Sequence, residues 1–267
     1  GIQDNVEEIE PRGNGLINPT NNVVTNGDAP DYVLQTVSDA SFPDVEMLMD
    51  NIVAVTGHIR KKLEAANTYD IDRKVLSFVP AKDGKYFYFD GDKYWRVMVF
   101  IPDTVTKSGV TPESSYIVGE TFGDFQAMLA DIPVTLGETI KDFHNIEFRL
   151  QQLKEAVEAD KAGRLAATKY IVDEVMARAE NMCRGERLHR EGKLPKRVCH
   201  CDTKVDNILF DQNDNVLCVI DLDTVMPSFI FSDYGDFLRS AANFVAEDCP
   251  EIEKVGFNME VFKAFTK

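Results

Sequence analysis

The stretch RVCHCDTKVDNILFDQNDNVLCVIDLDTVMP, residues 197–227, decides how the rest of the chain is read. Two apolar runs, 208–210 and 216–220, flank the polar turn 211–215, which is the pattern of a β-hairpin. In an antiparallel pair the residue entering the first strand lies beside the residue leaving the second, about 5 Å away. Asn207 and Asp221 take those two places. An amide oxygen and a carboxylate at one strand end make a hard-oxygen site suited to Mg²⁺, which keeps waters and borrows its remaining ligands from phosphates. Asp202 lies five positions before Asn207, in a loop opened by His200. The order His-x-Asp, then Asn, then Asp beyond a hairpin is what metal-assisted phosphoryl transfer needs. One carboxylate accepts a proton from the acceptor hydroxyl, and two oxygens hold the metal of the nucleotide. Lys204 adds a cation two residues past Asp202, where it can neutralise charge building on the transferred group. His200 is read as a support for the loop.

Upstream of this segment the pattern is helical. Thr111-Pro112-Glu113 is a helix start, followed by the apolar face Tyr116, Val118, Phe122, Phe125, Met128 and Leu129. Thr135-x-x-Glu138 has capping-box spacing ahead of Ile140 and Phe143, and further helices are expected over 148–160 and 167–190. Downstream, Asp233 and Asp236 are read as holding the catalytic loop or capping the next helix. The helical spacing of Met259, Phe262 and Phe265 runs up to Lys267, so the natural chain is expected to continue.

The first hundred residues read as strands with one interrupting helix. Runs at 6–10, 23–25, 32–36 and 75–79 are rich in β-branched or aromatic residues, and KYFYF, Asp90-Gly91-Asp92, KYWRVMVFI is a second hairpin. Its alternation sends Trp95 and Arg96 to opposite faces, in a core-and-rim role. Between these strands, residues 41–63 form an amphipathic helix with Ser41 as cap, Pro43 in the first turn, and Val45, Leu48, Met49, Ile52, Val55, Ile59 and Leu63 along one face. The expected fold is α+β and two-lobed: an N-terminal lobe, 1–101, of antiparallel sheet plus one helix, and a mostly helical lobe, 102–267, carrying the catalytic hairpin.

Across 267 residues, 45 Asp plus Glu against 29 Lys plus Arg give a formal charge of −16, which repels nucleic acid and anionic membrane surfaces. No apolar run approaches the roughly 20 residues of a membrane span, and five irregularly spaced cysteines suit free thiols. A cytoplasmic protein with a small-molecule partner is expected. Cys199-His200-Cys201 lacks the second ligand pair of a zinc site.

The string HCDTKVDN, 200–207, fits the His-x-Asp-x-x-x-x-Asn loop of kinase-like folds, and IDLDT, 220–224, resembles the metal-binding segment that follows it. Together with residues 219–248, FHN at 143–145, YWRVMVFI at 94–101 and GNGLIN at 13–18, the chain resembles the N-acetylhexosamine 1-kinase group of the aminoglycoside phosphotransferase and choline kinase family. The resemblance implies a protein-kinase-like fold, ATP and Mg²⁺ as cofactors, and transfer of the γ-phosphate to the anomeric hydroxyl of N-acetylglucosamine or N-acetylgalactosamine. By position Asp202 is the implied base, Asn207 and Asp221 the metal ligands, and Asp223 a further ligand or acceptor from metal-bound water. Gly13-Asn14-Gly15 would cover the phosphates, although Gly-x-Gly alone is equally a tight turn.

Gln35 stands in the nucleotide site where kinase-like folds usually carry a phosphate-pairing lysine, and Pro19-Thr20-Asn21-Asn22 where an aromatic residue is usual. The group also carries further C-terminal helices around its sugar pocket, so choline and aminoglycosides stay open as acceptors. Two other readings start from the same residues. Asp221-x-Asp223-x-Val225 after an apolar run also matches the nucleophile motif of haloacid dehalogenase-type phosphatases. A kinase-shaped binding module without turnover is the third.

Overall fold

Strands β1 (Val6–Pro11), β2 (Thr20–Thr25), β3 (Tyr32–Val37), β4 (Tyr88–Phe89) and β5 (Tyr94–Val99) form one antiparallel sheet in the order β1-β2-β3-β5-β4. The computed structural model describes residues 5–13, 17–26, 28–245 and 249–267, so Asn14 and Gly15 lie outside the described residues. The Asp90-Gly91 turn joins β4 to β5 as expected, with Gly91 at φ 105°, a conformation that costs glycine little. The run 75–79 is not a strand. It makes a single bridge, Phe78 with Met98, before Pro80, which has no N–H to continue a ladder.

Helix α1 (Val45–Ala65) packs its apolar face, Val45, Leu48, Met49, Ile52, Val55 and Ile59, into the core under the sheet. Its cap is Asp44 in place of Ser41: the Asp44 carboxylate accepts from the Met47 N–H at 2.9 Å, which leaves Pro43 outside the helix. The capping-box spacing at 135–138 starts no helix, and 133–145 is irregular. The Asn51 side chain captures Gly137 instead, donating to its carbonyl at 2.8 Å and accepting from its N–H at 3.0 Å. Gly137 is also pressed against Met47, whose Sδ would lie 2.5 Å from an added Cβ. Tertiary hydrogen bonds have overridden a local helix signal here.

Helix α2 (Pro112–Met128) starts at the expected Thr111 cap. Helix α3 (Ile146–Ala159) lies where one was expected, and the single helix expected over 167–190 is two, α4 (Leu165–Met182) and α5 (Arg184–Arg190). Then β6 (Arg197–Cys199) leads into the catalytic hairpin, β7 (Ile208–Phe210) and β8 (Val216–Val219), followed by β9 (Met226–Ser228), which pairs with β6. Helices α6 (Ile230–Ala241) and α7 (Met259–Thr266) complete the described chain.

Two hydrophobic clusters hold these pieces. One runs from the sheet and α1 into the catalytic hairpin, joining Val37, Ile52 and Met98 to Leu209, Leu217 and Val225. The other joins Val118 and Phe122 of α2, Ile208 and Phe210 of β7, and Phe237 of α6 with Val261 of α7. The hairpin therefore has one side in each cluster. Paired backbone hydrogen bonds of 2.9 Å between Val105 and Phe210 also tie it to the segment that leaves the sheet. Among the described residues no helix is long and apolar enough to cross a membrane.

Candidate active site

A cleft of about 650 Å³ opens between the sheet and the catalytic hairpin. Gly13, Asn18, Gln35 and Arg96 line it from the sheet side, and Asp202, Lys204, Asn207, Asp221 and Asp223 from the other. Every described residue singled out from sequence for the site therefore faces one cavity.

The hairpin register explains part of this. Ile208 pairs with Val219, and the Ile220 N–H donates to the Asn207 carbonyl at 2.9 Å. Asn207 thus sits opposite Ile220, and Asp221 is one residue beyond the expected partner position. A left-handed backbone at Asp221, φ 56° and ψ 58°, turns the chain there into a short 3-10 turn over Leu222–Thr224. Such a conformation in a non-glycine residue costs on the order of 1 kcal/mol and persists where surrounding contacts enforce it.

On the loop side, Cys201 is likewise left-handed at φ 65°. Asp233 of α6 holds it: the His200 and Cys201 N–H groups donate to its two carboxylate oxygens at 2.9 and 2.8 Å. Asp236 accepts from the Thr203 N–H at 2.8 Å. Both aspartates therefore fix the loop, and α6 is capped at Phe229 without their help. His200 is fully buried between Phe122 and Phe125, with its Nε2 2.9 Å from the Ile220 carbonyl and its Nδ1 3.3 Å from the Asp202 N–H. A proton on Nε2 satisfies both contacts. The Thr224 hydroxyl closes the arrangement by donating to the His200 carbonyl at 2.8 Å.

Within this frame the Asn207 amide nitrogen donates to the Asp202 carbonyl at 2.8 Å and to the Asp202 carboxylate at 3.1 Å. Its Oδ1 is left to the cleft. Lys204 Nζ lies 3.3 Å from Asp202 Oδ2. Burial alone would depress the Lys204 ammonium, but the charges of Asp202, Asp206 and Asp221 outweigh it and hold the group above the ordinary lysine value. It stays a cation beside Asp202.

Asp221 and Asp223 are two residues apart and differ sharply. Asp221 is reached by solvent through the cleft yet ringed by protein, and no donor among the described residues binds its carboxylate. Loss of solvation, with the negative charges of Asp223 and Asp202 adding to it, pushes its carboxyl up to about 6, against smaller opposing effects of His200 and Arg96. A carboxylate in that condition gains from a bound cation. Asp223 is buried, and both its oxygens are taken: Arg96 spans them at 2.5 and 3.0 Å, and Asn18 Nδ2 donates to Oδ2 at 2.6 Å. In this geometry it anchors the sheet to the turn after β8.

Among the described residues no three His, Cys, Asp or Glu side chains form a self-sufficient metal cage. The open donors, Asp221 carboxylate and Asn207 Oδ1, fit a hard divalent ion that completes its shell from water and phosphate, as Mg²⁺ does. Cys199 and Cys201 are buried free thiols whose pKa values are driven up by desolvation, which favours the protonated thiol.

Arg96 and Asn18 are the site residues that sequence reasoning missed. The alternation of β5 does separate Trp95 from Arg96, but the buried face is the one Arg96 takes, at 4% exposure, alongside Met98. A charged residue in the apolar phase of a strand is itself a signal, because arginine is almost never fully buried without a partner.

Two lobes enclosing a cleft, with a loop carboxylate, an amide oxygen and a second carboxylate on one wall, define the phosphoryl-transfer class of kinase-like folds. Residues 8–257 match the model of the phosphotransferase enzyme family, and the chain belongs to that family. Solved structures agree at the level of fold. A Plasmodium vivax ethanolamine kinase superposes with a TM-score of 0.53 at 15% identity, over 97% of this chain and 67% of its own. A spectinomycin phosphotransferase solved with ADP and spectinomycin gives 0.52 at 12%, over 97% and 74%. An aminoglycoside phosphotransferase from Alicyclobacillus acidocaldarius gives 0.51 at 16%, over 85% and 65%. The family match overturns the dehalogenase-type phosphatase reading, and so does topology: Asp221 follows a strand of a two-stranded antiparallel hairpin.

Proposed function

We propose that this phosphotransferase is an ATP-dependent small-molecule kinase that acts on a sugar hydroxyl, with the anomeric hydroxyl of N-acetylglucosamine or N-acetylgalactosamine as the first choice. The observation that carries the reading is the convergence of Asp202, Asn207 and Asp221 at one end of the catalytic hairpin, facing a cleft large enough for a nucleotide. Residues 1–101 would form the nucleotide-holding lobe and 102–267 the catalytic lobe, working in the cytoplasm. The motifs at 13–18, 94–101, 143–145 and 219–248 favour an amino-sugar acceptor through their likeness to N-acetylhexosamine kinases.

In this mechanism the acceptor oxygen forms a bond to the γ-phosphorus as the bond from that phosphorus to the β–γ bridging oxygen breaks, and ADP leaves. Asp202 accepts the hydroxyl proton on its carboxylate, which Asn207 orients through the 3.1 Å hydrogen bond. Lys204 offsets charge that gathers on the transferred group. Asp221 and Asn207 Oδ1 would hold Mg²⁺, which when bound neutralises the phosphate oxygens. Gly13, which lines the cleft, would bring its backbone to the phosphates as the expected Gly13-Asn14-Gly15 cover requires, and Gln35 would shape the wall.

Choline, ethanolamine or an aminoglycoside is the second reading, favoured by the fold likeness to an ethanolamine kinase and to aminoglycoside phosphotransferases. The deciding experiment incubates the chain with ATP, Mg²⁺ and each acceptor in turn, follows ADP release, and locates the new phosphate by ³¹P NMR. Release that requires an N-acetylhexosamine, with an anomeric phosphate as product, supports the first reading. Release with choline or an aminoglycoside alone moves the assignment to the second. Nucleotide binding with no turnover on any acceptor would make the chain a binding module.

A further inference from the structure

The cleft contains a closed ring of hydrogen bonds centred on Arg96 and Asp223, neither of which has a part in the reaction above. Arg96 of β5 donates twice to Asp223, at 2.5 and 3.0 Å, and its Nε donates to Gln35 Oε1 of β3 at 3.0 Å. Gln35 Nε2 donates to the Thr20 hydroxyl of β2 at 2.9 Å, and that hydroxyl donates to the Asn18 carbonyl at 3.0 Å. Asn18 Nδ2 returns to Asp223 at 2.6 Å, while its Oδ1 is fixed by the Ser38 N–H at 2.9 Å. Three strands of the sheet and the turn after β8 are thereby joined across the cleft.

Stability alone is a weak reason for such a ring. A buried ion pair costs so much desolvation that well-packed apolar residues in its place are often neutral or stabilising. Position gives a better reason. Asp223 lies two residues past Asp221 in the same short turn, and the left-handed backbone of Asp221 requires outside contacts to persist. A bidentate guanidinium fixes a carboxylate in both distance and plane, which a single point charge does not.

We propose that Arg96 is a positioning residue: from the opposite wall, with Asn18, it sets the turn that presents Asp221 to the cleft, so that affinity for a metal-bound nucleotide depends on how the sheet is seated. The proposal rests on the kinase reading above. Gln35 acquires a role in it, as the group that orients the Arg96 fork through Nε.

The test measures ADP affinity of the full chain by calorimetry with and without Mg²⁺, and the Mg²⁺ dependence of turnover. Two variants are compared with the original sequence. Arg96→Lys keeps the charge and loses the fork, and the pair Arg96→Met with Asp223→Leu removes both charges together, so that neither leaves an unpaired buried ion. In either variant metal-free ADP affinity should stay within about threefold, while the gain that Mg²⁺ confers should fall by roughly 10- to 100-fold, the scale for groups that orient metal ligands. The Mg²⁺ midpoint for turnover should rise in parallel, with the acceptor KM unchanged within about twofold. A Mg²⁺ gain and midpoint within about threefold of the original in Arg96→Lys would reduce the ring to packing and overturn the proposal, whether or not the double variant folds. If the original chain itself gains nothing from Mg²⁺, the kinase reading fails first and takes this proposal with it.

Discussion

The two walls of the cleft are built by opposite means. On the catalytic wall, carboxylates stand open to the cavity while backbone N–H groups are gathered behind them: Asp233 and Asp236 hold the loop from α6, and Asp202, Asn207 and Asp221 face outward. On the sheet wall, charge is closed off. Arg96 is buried against Asp223, and neutral Gln35, Thr20 and Asn18 carry the rest of the ring. The difference separates two aspartates that sequence alone treats alike. An open carboxylate without a donor suits a cation or a proton, whereas a neutralised one suits an anchor.

Removing the carboxylate proposed as the proton acceptor should give the largest effect. Asp202→Asn should lower turnover by roughly 10²- to 10⁴-fold while Mg²⁺-nucleotide affinity is kept. Steady-state kinetics beside nucleotide titration would check this, and undiminished turnover would take Asp202 out of the chemistry.

The support behind the catalytic wall comes next. Asp233→Ala leaves the His200 and Cys201 N–H groups buried without their acceptor, a loss of roughly 2–4 kcal/mol of stability. Denaturant unfolding should show it. A shift below about 0.5 kcal/mol would mean that the loop is held elsewhere.

The smallest effect has the opposite sign. The Asp221 carboxyl is raised from 3.8 to about 6 in the fold, so its contribution to stability is full below pH 3.8 and is lost as pH rises through 6. At pH 7 the ionised group therefore burdens the unliganded chain. Asp221→Asn should stabilise that state by about 1 kcal/mol, after discounting for solvent in the open cleft, and the gain should shrink by pH 4. The same variant should lose the Mg²⁺-dependent part of nucleotide affinity, which in the original chain should weaken as pH falls through 6. Calorimetric melting at the two pH values would expose a Tm that does not rise at pH 7.

The catalytic wall was legible in sequence because its groups are close along the chain and set by local geometry. The spacing 200–207 and the hairpin turn 211–215 are enough to bring Asn207 and Asp221 to one end. The register placed Asp221 one residue further than strict pairing suggests, since its left-handed backbone has no compositional mark. Helix α1 and its buried face were readable from periodicity, whereas its cap shifted to Asp44. The irregular path at 133–145 depends on Asn51, 86 residues away from Gly137. The sheet wall was hidden for the same reason. The Arg96–Asp223 pair spans 127 positions and the Asn18–Asp223 bond 205, distances over which pattern carries no information.

The most direct measurement is a structure of the chain with Mn²⁺ and ADP, in which the anomalous signal of the metal fixes its place. The expected result puts the ion in the cleft against Asp221 and Asn207, with Asp223 still clasped by Arg96. An ion bound to Asp223 with Arg96 swung aside, or a nucleotide lying outside the cleft, would contradict the division of labour between the two walls.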